Sequence, residues 1–224
     1  MGKLELQDFE WFSHLTEAEI TALSAAMVAR HFDQGQLIIS YDDASHDVYF
    51  VLQGVAIAAY WTDEGKEIAY AHIGAGEQFG ELSALDGQPR SLSIYAKVST
   101  DTLVLPEKML HDLIDRDPVF RQKILSDLVG RVRDLTRRIN DLTSLSVTDR
   151  VRGLLVRLAL ESQVFVPNGQ LTDPPTHAEI GNYVGANREA VSRVLSQLNR
   201  DGVIASGRQS ITLVRPEALL VGEG

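Results

Sequence analysis

Cysteine is absent from this 224-residue sequence. That removes disulfides, thiolate nucleophiles and every zinc or iron-sulfur site built on thiolates. Long hydrophobic runs are missing too, and the opening residues MGKLELQDFEWF carry acids where a signal peptide needs an apolar stretch. The expected setting is therefore the cytoplasm, without a membrane partner. No histidine pair stands one residue apart among the six at 14, 31, 46, 72, 111 and 177, so a cupin-type metal enzyme has no ligand set and no metal site is expected. No G-x-S-x-G elbow occurs, and no catalytic residue is expected. Internal repeats and low-complexity tracts are likewise absent. Excess basic charge is also lacking: the net charge is −10. Residues 149–224 carry eight arginines, no lysine and eight acids, so all of that excess acid lies in residues 1–148. A neutral, arginine-bearing segment is compatible with phosphate contacts, because local rather than total charge governs them.

What is present falls into three zones. From about Arg30 to Leu105 come short β-rich runs: Gln36–Ser40, Val48–Leu52, Val55–Trp61, Glu67–Ile73, Ser91–Lys97 and Thr102–Leu105. Glycines at 35, 54, 65, 74, 76, 80 and 87 punctuate them, the pattern of a small barrel or jelly roll. A helix over Thr16–Ala29 precedes them, opening on Thr16 and Glu19 in capping-box spacing. The second zone is a helix from Pro118 to about Leu145. Its Leu125, Leu128, Val132, Leu135, Ile139 and Leu142 alternate steps of three and four, a heptad seam. Such a helix can pack on its own domain or pair with a second copy; the strictness of the stripe favours a homodimer. The third zone holds a helix over Val151–Leu160, a Pro/Gly loop, two short helices and a hairpin around Ser206–Gln209. The class is α+β, with domains over 1–117, 118–147 and 148–224.

The two short helices have their own signature. Thr176 and Glu179 form a capping box, Gly185 supplies the turn, and Asn187 caps the second helix. Val191, Val194, Leu195 and Leu198 make its core stripe, leaving Arg188, Glu189, Ser192 and Arg193 on the other side. Arginine pairs bidentately with guanine and glutamate accepts from cytosine. An ordinary solvated face would look similar in isolation. Helix, glycine turn, capped helix and hairpin together point to a winged helix-turn-helix that reads double-stranded DNA.

The densest motif lies earlier, at Gln78–Ser91: QFGELSALDGQPRS. It resembles the phosphate-binding cassette of cyclic-nucleotide-binding domains, which runs FGE, short helix, PRS or PRT. Together with the reading helix about a hundred residues later, the order of zones resembles the cyclic AMP receptor and fumarate-nitrate regulator (CRP/FNR) family of bacterial regulators. That resemblance implies a ligand site at Gly80, Glu81, Leu82, Arg90 and Ser91. Arg90 and Ser91 would meet the cyclic phosphate and Glu81 the ribose hydroxyl. It places Leu135-Thr136 where the cyclic AMP receptor has two adjacent hydroxyl residues, so Thr136 alone would meet the purine edge. Cyclic AMP or cyclic GMP is the implied effector. The alternative is a regulator whose pocket is vestigial, held by a Glu81–Arg90 ion pair, or takes another small molecule. The implied partners are a second copy of the chain, an inverted-repeat operator touched by Thr176, Asn187, Arg188, Glu189, Ser192, Arg193 and, in the wing, Arg208, and RNA polymerase.

Overall fold

The computed structural model describes residues 4–61 and 67–220; Gly65, read above as a turn residue, lies outside them. The chain divides into two compact units, Met1–Val132 and Arg133–Gly224. No helix among the described residues is long and apolar enough to cross a membrane.

The first unit is a jelly roll of two antiparallel sheets. One runs β1 (Val28–Phe32), β8 (Thr100–Leu105), β3 (Val48–Gln53), β6 (Gln78–Phe79), in that order across the sheet. The other runs β2 (Leu37–Ile39), β7 (Ser93–Ala96), β4 (Val55–Trp61), β5 (Glu67–Gly74). Strand β3 is buried on both faces, with Val48, Phe50 and Leu52 in one apolar cluster and Val51 in another. Helix α1 spans Glu17–Ala26, capped by Thr16 as its sequence predicts. It stops three residues short of the expected Ala29, because Val28 leaves to pair with Val104 in β8. That edge strand is largely exposed and has no alternating pattern to betray it.

Much of the core comes from the first residues of the chain. Leu6, Phe9, Trp11 and Phe12 are fully buried. The rings of Phe9, Trp11 and Phe12 lie 5.0–5.6 Å from Phe50, and Phe120 contacts Trp11 and Phe12. Three of these pairs are edge-on, a geometry that stabilises beyond the burial of apolar surface. Phe120 opens the long helix α4 (Pro118–Ser144), so the aromatic cluster anchors that helix to the jelly roll. Helix α3 (Glu107–Arg116) lies just before it, burying Leu110 and Leu113. Met109 and Ile114 complete its helical stripe against the same core.

The second unit packs α5 (Val147–Glu161), α6 (His177–Val184) and α7 (Arg188–Arg200) around a core that includes Val151, Leu155, Ile180, Val191 and Leu195. Its sheet runs β10 (Ile204–Gly207), β11 (Ser210–Leu213), β9 (Gly169–Thr172). Strand β9 falls in the segment read as a loop. Only Leu171 is buried there, too little apolar pattern to signal a strand.

Candidate functional site

The cassette is built on Gly80 and Arg90. Gly80 has φ 88°, caps α2 (Glu81–Asp86), and occupies a conformation that L side chains enter only at a cost. A Cβ there would lie 2.8 Å from both Arg90 Nη1 and the Asp47 carbonyl oxygen. Arg90 follows the turn that ends α2 at Gly87 and is 3% exposed. Its Nη1 donates to the Gly80 carbonyl at 2.7 Å, Nη2 to the Asp47 carbonyl at 2.8 Å, and Nε to Ser45 Oγ at 3.1 Å. The main chain is tied as well: Arg90 N–H donates to the Asp43 carbonyl, and Asp42 N–H to that of Arg90. Each terminal nitrogen keeps a second N–H for an anion. Burial lowers the Arg90 pKa, against the pull of Tyr49 and nearby carboxylates. A guanidinium fixed this way, beside the start of α2, fits a phosphate ester.

Glu81 is 4% exposed, and burial holds its carboxyl above the usual carboxylate range while Arg131 opposes the shift. Its partner is not Arg90: Arg131 Nη1, on α4, donates to Glu81 Oε1 at 2.9 Å. Arg131 also approaches Asp127, which accepts from Gln78 Nε2 at 2.9 Å. Sequence reasoning missed this residue because it looked like one of several charges flanking a seam. Leu82 and Ser91, the other cassette residues, are exposed.

Along α4, Leu125, Val132, Leu135, Ile139 and Leu142 are exposed, Leu135 at 59%. Leu128 is not: it packs against the jelly-roll core, and Val129 is exposed beside the stripe instead. Leu142 lies against Gly185, and Arg138 donates to the Asn182 carbonyl at 2.7 Å, so the end of α4 is fixed to the α6–α7 turn. Thr136 is exposed on α4 and belongs to the second unit.

In that unit the reading motif is assembled as its local signals require. Thr176 and Glu179 form the capping box on α6, Gly185 turns with φ 63°, and Asn187 Oδ1 accepts from Ala190 N–H at 2.8 Å. Val191, Leu195 and Leu198 are buried, while Arg188, Glu189 and Arg193 are exposed and Ser192 is half-buried. Arg208 lies exposed at the β10–β11 turn. The face therefore carries the donors and acceptors that base edges need.

Residues 29–117 match the family described as cyclic nucleotide-binding domain, and residues 149–221 the Crp-like helix-turn-helix domain. The chain is 28% identical over 178 residues to the cAMP-activated global transcriptional regulator CRP of Haemophilus influenzae, covering 79% of each chain. The catabolite activator protein of Thermus thermophilus is similar in structure, with TM-score 0.55 and 27% identity over 94% of this chain and 96% of that one. FixK2 of Bradyrhizobium japonicum shares the fold, at TM-score 0.72 and 23% identity over 86% of this chain and 95% of that one. With a cyclic nucleotide-binding domain model and a Crp-like helix-turn-helix model matched in succession along it, the chain belongs to the CRP/FNR family of transcription regulators.

Proposed function

We propose that this protein is a homodimer that reads an inverted-repeat DNA site and is controlled by a cyclic nucleotide bound at Gly80, Glu81, Leu82, Arg90 and Ser91. Residues 1–117 form the sensor, 118–147 the dimer helix and 148–224 the reader. The observation that carries the effector reading is Arg90, a buried cation held by two backbone carbonyls beside the start of α2. Burying a charge is costly, so a guanidinium kept there with spare N–H groups suits an anionic ligand. The exposed apolar residues of α4 support the second copy, and Arg188, Glu189, Ser192 and Arg193 support base contacts.

The Glu81–Arg131 pair supplies a link between ligand and dimer helix. A ribose hydroxyl that donates to Glu81 competes with Arg131 for the same carboxylate. Arg131 stands four residues before Leu135 on α4, so its release or retention biases the conformation of the helix that bears the apolar stripe. Isothermal titration of the full chain with cyclic AMP and with cyclic GMP tests the effector. Binding of either that is lost in Arg90→Leu and weakened in the exposed-site variant Ser91→Ala is expected. The absence of heat with both nucleotides at several temperatures would overturn the effector assignment and point to another small molecule.

A further inference from the structure

Ser192 stands on α7 between Glu189 and Arg193, and its hydroxyl meets His177 Nδ1, the first residue of α6, at 2.8 Å. The contact ties the two helices of the reading motif through side chains that are not part of their core. It also matters which way the proton points. A serine hydroxyl has one proton and two acceptor lone pairs, whereas an imidazole nitrogen either accepts or donates.

We propose that His177 sets the hydrogen-bonding sense of Ser192, and thereby which base edge α7 prefers at one position of its DNA site. This rests on the reading of α7 as the helix that meets bases. When Nδ1 is unprotonated, Ser192 donates to it and presents only lone pairs outward, which suit the amino groups of adenine N6 or cytosine N4. When Nδ1 carries a proton it donates to Ser192 Oγ, and the serine O–H turns outward as a donor for guanine O6 or N7, thymine O4 or adenine N7, so that cytosine, which offers only a donor, is the base most disfavoured. In the imidazolium, and in the neutral tautomer that accepts from Ser192, Nε2 keeps its proton. A phosphate contact through Nε2 is therefore the same in these two states, and only the base-reading atom changes.

Without the imidazole the Ser192 hydroxyl is free to rotate and can both donate and accept, so the preference at that position relaxes.

The test selects the full-length parent, His177→Ala and Ser192→Ala against a randomised inverted-repeat duplex library, with cyclic AMP, with cyclic GMP and with neither. At one symmetric pair of positions His177→Ala is expected to change base frequencies by roughly two- to tenfold while the others hold, and Ser192→Ala should remove discrimination there. A histidine that served only as a phosphate contact would change affinity on all sequences and leave base frequencies unmoved. Sequence-specific binding with base frequencies unaltered in His177→Ala, or unaltered discrimination in Ser192→Ala, overturns the proposal and leaves the DNA-reading function standing. Loss of sequence preference under every condition overturns both.

Discussion

Two glycines of the cassette, at either end of α2, share a left-handed backbone and differ sharply in the space around them, which allows a controlled perturbation. Gly80 has φ 88° and Gly87 φ 67°; a Cβ on the first would meet Arg90 Nη1 and the Asp47 carbonyl at 2.8 Å, and on the second nothing within 4 Å. Alanine at either site carries a conformational cost of about 1–2 kcal/mol. Each also gains roughly 0.4–1 kcal/mol by restricting the unfolded chain, which cancels in the comparison. Only Gly80→Ala adds overpacking against a backbone oxygen and a buried guanidinium, about 1–3 kcal/mol more. Both tryptophans, Trp11 and Trp61, lie in the N-terminal unit, so their fluorescence in urea reports its unfolding. The midpoint of Gly80→Ala should fall below that of Gly87→Ala by roughly 1 M for a slope near 2 kcal/mol/M. The displaced Arg90 should also lose a charge-assisted hydrogen bond to the effector, about 1.5–3 kcal/mol. That corresponds to roughly tenfold to 150-fold weaker binding, measured by titration. Equal midpoints for the two variants, or unchanged effector affinity in Gly80→Ala, would refute the argument that Gly80 exists to admit Arg90.

Leu135→Asp places a charge in the middle of the exposed α4 stripe and should give monomers in analytical ultracentrifugation; a dimer that persists refutes the seam. Arg188→Ala should cost about 1–3 kcal/mol on the preferred duplex and relax one base pair in a competition gel shift, whereas an equal loss on all sequences recasts Arg188 as a phosphate contact. Asp117 accepts from the Val119 and Phe120 N–H groups at the start of α4 and from His14 Nε2 at 2.8 Å. Partial burial alone would raise its pKa, but those hydrogen bonds hold the carboxyl below the usual range. A depressed folded-state pKa stabilises above the unfolded value near 3.9 and is lost as pH falls through the folded value. Asp117→Ala should therefore destabilise the N-terminal unit by about 0.5–2 kcal/mol at neutral pH, and the difference from the parent should shrink in acid below about pH 4. A difference that grows in acid would reverse the sign of this reasoning.

Much of this protein is written in signals that act within a few residues. Thr16, Thr176 and Asn187 cap the helices they were expected to cap, and strand β4 has the bounds of its β-rich run between turn residues. The run Gln78–Ser91 carries a resemblance to a known cassette, and the stripe from Leu125 to Leu142 marks the long helix, because a motif and a period need only neighbours along the chain. Contacts between distant residues needed the tertiary structure. Glu81 takes Arg131, fifty residues away, and not Arg90. Arg90 turns inward onto backbone carbonyls from β-roll loops that no local pattern ties to it. Leu128 leaves the heptad stripe for the aromatic core assembled by the first residues of the chain. His177 and Ser192 meet only because α6 and α7 cross. Periodicity says which face of an element is apolar; which other element that face or charge will meet is decided by the packing of the whole unit.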